Sequence, residues 1–302
     1  TMNPAMKKHL DLFFATRPGL RAAAEFPSME ATGEARWDAE RVAAYAAICG
    51  LPAGSTLPLL VPQIAAAKLH LDLFADRRFP FGALGIVHVE NRVELLAPIP
   101  ATAVLELTAS VGNCRPWRPE SAAGWLFDLR TDVAVAGVPK GTWTATILAR
   151  SGRDDPKSSG REGSKESPVA GDADGRGVLL RSAVVTAPEN IGRRYGAIAS
   201  DRNPIHQHAL LAKPFGFKRA IAHGLWTLAR TLGEAVDDLP TSDLSLHARF
   251  KKPIFLPGRF LVEVRKKEKE LQLLAQGVPF EKTSERGRAI PHLAVTVTSG
   301  RG

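Results

Sequence analysis

Two stretches of this 302-residue chain repeat one another at a spacing that fixes its architecture. Tyr45 to Thr56 reads YAAICGLPAGST, and Tyr195 to His206 reads YGAIASDRNPIH. At an offset of 150, Tyr45 meets Tyr195, Ala47 meets Ala197 and Ile48 meets Ile198. Farther on, NRVELLAPIPATAVLEL (Asn91 to Leu107) lies over ARFKKPIFLPGRFLVEV (Ala248 to Val264) at an offset of 157. There Arg92 falls on Arg249, Pro100 on Pro257 and Glu106 on Glu263. Two blocks in the same order imply two copies of one structural unit. The second copy carries seven (157 − 150) additional residues between His206 and a helix that begins near Ala222. Between the copies, Ser151 to Gly177 is rich in Gly, Ser and charge and nearly empty of large apolar side chains. Such a segment buries too little to offset its ordering entropy and is expected to be a flexible linker.

Each copy presents the same order of elements. A short helix comes first, Ala39–Ile48 and Ile191–Ala199. An apolar stretch of helical length follows, Ile64–Phe74 and Ala222–Val236; Ile221, Leu225, Leu228, Leu232 and Val236 recur on one helical face. Period-two alternation then marks strands at Val87–Leu95 and Val104–Val111, and at Leu244–Phe250, Phe260–Val264 and Leu271–Ala275. Gly141–Leu148 and Ala289–Thr298 close the two copies. One long helix followed by consecutive antiparallel strands predicts an α+β unit, a curved sheet wrapped around a central helix.

Composition removes several classes of function. The longest apolar candidate, Leu57 to Phe74, is interrupted by Pro58, Pro62, Lys68, His70 and Asp72 and is no membrane span. The run Leu12–Ala15, between Asp11 and Arg17, is too short and too charged for a secretory signal. Cys49 and Cys114 form neither a framework nor a metal-binding spacing, which points to a reducing, cytoplasmic compartment. The net charge is +9, but Arg17, Arg92, Arg150, Arg193 and Lys218 are scattered, without the aromatic interleaving of a nucleic-acid surface. A positive surface also suits an anionic small molecule or an acidic carrier protein. The RKKEKE run from Arg265 to Glu270 mixes signs and reads as a solvated strand end or turn.

The chemistry is concentrated in the second copy. Asp201 and His206 stand five residues apart, with Asn203 and Pro204 between them. The proline blocks a continuous helix, so the acid and the imidazole sit on a turn and can be aimed at one point. Such a pair can hold a single water and move its protons. A metal at His206, His208 and His223 is the weaker reading, because no carboxylate or Cys completes a known ligand spacing. The first copy has Leu51 opposite Asp201, Thr56 opposite His206 and Ala66 near the position of His223.

Together with PFGFKRAIAHGLWTLAR (Pro214 to Arg230), this stretch resembles the MaoC-like dehydratases, also called (R)-specific enoyl-CoA hydratases. The family motif reads roughly Y-A-x-x-S-G-D-x-N-P-I-H, with a later G-F-x-x-I-A-H-G-M. Asp201, Asn203, Pro204, Ile205 and His206 match it, as do Gly216, Phe217, Ile221, Ala222, His223 and Gly224. Ala199–Ser200 replaces the family's S-G, which threatens the turn that aims Asp201, and Leu225 replaces the usual Met. The whole chain resembles the two-hotdog members, in which an altered N-terminal hotdog pairs with an active C-terminal one.

The resemblance implies a double hotdog packed as a pseudo-dimer within one chain, with a homodimer of such chains left open. Residues 1–150 would be a degenerate hotdog that shapes the acyl site, 151–177 the linker and 178–302 the catalytic hotdog. The implied reaction is reversible addition of water to a trans-2-enoyl thioester, giving a (3R)-hydroxyacyl thioester. No cofactor is implied beyond the CoA that the substrate carries; a branched or dicarboxylic enoyl-CoA and an enoyl group on acyl carrier protein stay open as alternative substrates. Asp201 and His206 would hold the water, without deciding which is the base. Asn203 would brace the loop, and the Gly224 N–H at a helix start would face the thioester oxygen. His223 would make a structural hydrogen bond at the helix start. Tyr195, His223 and Phe217 would line the substrate site, with Lys213, Lys218 and Arg219 toward the CoA phosphates. The additional residues, around His208 to Phe215, would rim the mouth. Ser200 keeps open a thioester-binding protein that has lost turnover.

Overall fold

The computed structural model describes residues 17, 26–82, 86–117, 124–150, 177–278 and 289–300. Apart from Gly177, the expected linker lies outside the described residues. The first half supplies strands β1 (Met29–Ala35), β2 (Ile86–Leu95), β3 (Leu105–Trp117), β4 (Gly124–Val135) and β5 (Val138–Arg150). The second supplies β6 (Val178–Ala187), β7 (Leu244–Phe250), β8 (Gly258–Lys267), β9 (Glu270–Gly277) and β10 (Pro291–Ser299). Their order is β1-β3-β4-β5-β2-β7-β10-β9-β8-β6. Matching each first-half strand to the strand five later makes this order palindromic. The two five-stranded sheets are therefore related by a pseudo-two-fold and join edge to edge through β2 and β7, from Glu90↔Arg249 to Leu95↔Leu244. The mixed-sign RKKEKE run is the β8–β9 hairpin, turning at Glu268 (φ 54).

Helices α1 (Ala39–Cys49), α2 (Val61–Ala65) and α3 (Ala67–Ala75) belong to the first half. The second has α4 (Ile191–Ala199), α5 (Pro204–Gln207), α6 (Ala209–Ala212) and α7 (Gly224–Gly233). The single first-half helix expected over Ile64–Phe74 is broken into α2 and α3 at Ala66 (φ −77, ψ 2). The helix expected over Ala222–Val236 starts at Gly224, because His223 is extended (ψ 138). It stops at Gly233, where a Cβ would stand 2.8 Å from Gly50 O. Across the pseudo-two-fold, the buried rings of Tyr45 and Tyr195 face each other at 6.1 Å.

The repeat is real, but part of its register shifts. Leu51 N donates to Ala46 O and Asp201 N to Gly196 O, and the helices before them end on left-handed caps, Gly50 (φ 65) and Ser200 (φ 59). That preserves the offset of 150 around α1 and α4. Beyond it, Leu57 N donates to Ile99 O while Ala222 N donates to Ile254 O. Ala101 N donates to Ser55 O while Leu256 N donates to Ala220 O. Ile99 is thus the counterpart of Ile254, an offset of 155 rather than 157, and Pro100 matches Phe255 rather than Pro257. A two-residue slip keeps every strand side chain on its own face, so an apolar pattern does not detect it. Ser55 matches Ala220 at an offset of 165, so the second half carries fifteen (165 − 150) additional residues here, not seven. Thr56 is the counterpart of Ile221 and not of His206; at the same offset Pro58, not Ala66, matches His223. His206, α5 and α6 all lie in a segment without a first-half equivalent.

Candidate active site

The segment that carries His206 rests on two glycines. Gly192 and Gly196 are four residues apart on one face of α4. A Cβ at 192 would lie 1.8 Å from His206 O, and one at 196 would lie 2.3 Å from Asp201 O. Only a bare helix face lets both backbones approach this closely. α4 ends at Ser200, which takes the left-handed conformation that the motif's Gly would take (φ 59, ψ 25). A residue with a Cβ carries a cost there of about 1–2 kcal/mol. Arg41, reaching over from α1, secures this helix end. Its Nε and Nη2 donate to Ile198 O at 3.0 and 2.6 Å, and Nη2 donates to Ser200 Oγ at 3.2 Å. Its guanidinium lies 4.1 Å from the centre of the Trp37 ring.

After this turn Asn203 N donates to Asp201 Oδ1 at 3.1 Å. Asn203 Oδ1 accepts from Ile205 N at 3.3 Å and caps α5, whose first residue is Pro204. His206 lies at 2.8 Å from Ile221 O through Nδ1. A carbonyl only accepts, so Nδ1 carries the proton and Nε2 keeps its lone pair. His223 precedes α7; its Nε2 is 3.3 Å from Asp201 O and 3.7 Å from Asp201 Oδ2. The His206 and His223 rings stack at 3.7 Å, and Tyr195 backs His223 at 4.9 Å. One ligand atom from each of Asp201, His206 and His223 lies within 4.8 Å of the others. A single water making hydrogen bonds of about 2.6–3.2 Å spans that gap.

Burial governs the charge here. It holds the His206 imidazole below its usual 6.5, against the pull of the Asp201 charge and of the bond to Ile221. Burial, then the neighbouring His206, pushes His223 down to about 3. Both rings are neutral near pH 7, while the Asp201 side chain is 52% exposed. The carboxylate that the metal reading lacked is thus present beside two imidazoles. His208 stands apart, accepting from Leu210 N at 3.2 Å and capping α6. The two stacked imidazole planes differ by 28°.

Gly224 opens α7, where the first N–H groups have no acceptor within the helix. A Cβ at 224 would meet Phe250 Cε1 at 3.3 Å. Tyr195 is 1% exposed and stands behind His223 rather than on an open surface. Phe217 is half-buried; Lys213, Lys218 and Arg219 are exposed along the additional segment. Arg219 Nη1 donates to Pro257 O at 3.3 Å. The motif gave no notice of Gly192, Gly196 or Arg41. The i, i+4 glycine spacing is a usable signal for the first two; nothing local marks Arg41. Two clefts, of about 740 and 420 Å³, open in the first half, away from Asp201 and His206.

The MaoC-like domain model matches residues 170–282, which contain Asp201, Asn203, His206, His223 and Gly224. Over 263 residues the chain is 31% identical to 3-hydroxyacyl-thioester dehydratase X of Mycobacterium tuberculosis, covering 86% of this chain and 85% of that one. The chain belongs to the MaoC-like dehydratase family. The crystal structure of HtdX from Mycobacterium tuberculosis matches this MaoC-like protein with a TM-score of 0.72 at 28% identity, over 91% of this chain and 100% of the other. A second Mycobacterium tuberculosis structure, described as a double hotdog, matches at 12% identity with a TM-score of 0.55, covering 91% and 96% of the two chains. That likeness bears on the fold alone. The MaoC-like chain is a double hotdog and a hydro-lyase, and among its described residues no helix is long and apolar enough to cross a membrane.

Proposed function

We propose that this protein adds water to trans-2-enoyl-CoA thioesters and removes it from the (3R)-hydroxyacyl products. The observation that supports this most is one neutral imidazole, His206, locked by Ile221 O so that Nε2 shares a water-sized gap with the Asp201 carboxylate. In hydration, Asp201 accepts one water hydrogen bond and orients the oxygen. His206 Nε2 takes the proton as that oxygen bonds to C3, and the imidazolium returns a proton to C2. Water is consumed as OH and H, so nothing else is required. The Gly224 N–H donates to the thioester oxygen as negative charge collects there. Asn203 holds the turn, and His223, braced by Tyr195, keeps the His206 ring in plane. Lys213, Lys218 and Arg219 meet the CoA phosphates, with Phe217 beside them. Residues 178–302 carry the chemistry, and residues 1–150 shape the acyl site. Incubation with crotonyl-CoA and chiral analysis of the product tests this: the expected product is (3R)-hydroxybutyryl-CoA. An (S) product, or no product from folded protein, contradicts it.

A second reading keeps the chemistry and changes the carrier. Leu210 and Leu211 are 64% and 50% exposed beside Lys213, and no acidic residue occurs between Arg202 and Gly233. An acidic carrier protein fits such a basic, apolar rim. A higher kcat/KM for crotonyl on carrier protein than on CoA selects it.

A further inference from the structure

The core of the first half contains a group of polar side chains where α2 and α3 pack on the sheet. Gln63 is 4% exposed, and its Nε2 donates to Oδ1 of the fully buried Asn91 at 2.9 Å. His70 Nε2 lies 2.8 Å from Thr131 Oγ1. His88, on the same strand as Asn91, interacts with both Asn91 and His70. After these contacts Gln63 Oε1, Asn91 Nδ2 and His88 Nε2 are buried without a hydrogen-bond partner. A buried polar atom left unpaired is costly, and three in one group of neighbours point to a polar visitor.

This group adjoins the reaction centre. The Phe250 ring that packs 3.3 Å from a Cβ position at Gly224 also meets the His88 ring, at 4.8 Å between centroids. Phe250 is thus the side chain that links Gly224 to His88, on the strand that carries Asn91. We infer that Gln63, His88 and Asn91 form a subsite for an oxygen function on the acyl tail. The favoured substrate is then an enoyl thioester with a neutral hydroxyl or carbonyl beyond its double bond. The inference rests on the hydration reading of Asp201 and His206. The Asn91 amide donates to the tail oxygen, and Gln63 Oε1 accepts from a hydroxyl. Burial pushes His70 and His88 each down to about 4, so these rings offer no positive charge to a carboxylate.

The test compares kcat/KM for a plain trans-2-enoyl-CoA with isomers of the same chain length whose single hydroxyl steps along the tail. Crotonyl-CoA is included as a tail-free control. One isomer is expected to exceed the plain chain by about tenfold or more, since a site built to bind a hydroxyl penalises its absence. Asn91→Leu and Gln63→Leu should each bring that ratio toward one. A plain chain preferred over every isomer overturns the inference and leaves the group to buried water. A preference untouched by either substitution also overturns it. Should neither variant fold, the wild-type ratio still decides. If crotonyl-CoA itself is not hydrated, it is the hydration reading that fails.

Discussion

α1 and α4 occupy equivalent places in the two halves, yet different things lie against them. The positions matching Gly192 and Gly196 are Val42 and Ala46. In the second half the two glycines admit the backbones of His206 and Asp201. In the first half Val42 and Ala46 instead line a cleft of about 420 Å³, shared with Pro52, Gly54, Thr56 and Pro58. The chain there runs from the Gly50 cap to Ser55 with no segment to fill the groove. The contrast teaches that the halves differ by a whole supporting segment and the helix face that receives it, and not merely by an acid and an imidazole. It also shows what the first half contributes, since Arg41 on α1 holds the turn before Asp201.

The strongest way to break this comparison is to give the second half the helix face of the first. Gly192→Ala places a methyl where His206 O now sits. Displacement of the imidazole by about 1 Å should lower kcat by about 100-fold. Val42→Ala on the opposite helix should leave kcat within about twofold, since Val42 is a core residue of the first half that touches none of the reacting groups; its cost should appear in stability, at about 0.5–3 kcal/mol. Steady-state hydration rates of the two variants, with circular dichroism to confirm folding, decide between them.

Removing the cross-half tether sharpens the comparison further. Arg41→Ala should lower kcat about tenfold, the effect of about 1.4 kcal/mol, with little change in KM. If the tether works by holding Ser200 left-handed, Ser200→Gly should recover much of that loss, and the double-mutant cycle should be non-additive. Additive effects would mean that Arg41 acts otherwise.

A smaller effect concerns acid, and both halves share it. Burial holds His70 and His88 at about 4 in the first half and His223 at about 3 in the second. These folded-state values lie below the unfolded 6.5, so below pH 6.5 the unfolded chain binds more protons. Stability is therefore fully present above pH 6.5 and falls as pH drops toward 4. Urea midpoints across that window should decline steadily; a flat profile contradicts the burial of these rings. The smallest effect expected is none: Leu51→Asp in the first half should add no hydration activity to a protein inactivated at Asp201, because the acid gains no imidazole partner.

Much of this layout is legible in the sequence, and the gaps have physical causes. α4 and β7 fall at the expected Ile191–Ala199 and Leu244–Phe250, because a helical apolar face and period-two alternation are local signals. The break between α2 and α3 at Ala66 has no Gly or Pro to announce it. β6 begins with the exposed Val178, Leu179 and Leu180 at a sheet edge and shows no clean alternation. The polar β1, MEATGEA, gains its place by pairing with β3. The resemblance singled out Asp201, Asn203, His206, His223 and Gly224, which the fold brings to one turn and one helix start. Arg41 was invisible because its partners lie 157 and 159 residues away.

The most direct measurement is the loss of enoyl-thioester absorbance with crotonyl-CoA, for the wild-type protein beside Asp201→Asn and His206→Ala. Turnover in the wild type that falls by about 10²–10⁴-fold in each folded variant is the result expected if the second half carries the acid–base chemistry. Turnover that survives in both variants would place the chemistry elsewhere and contradict the account.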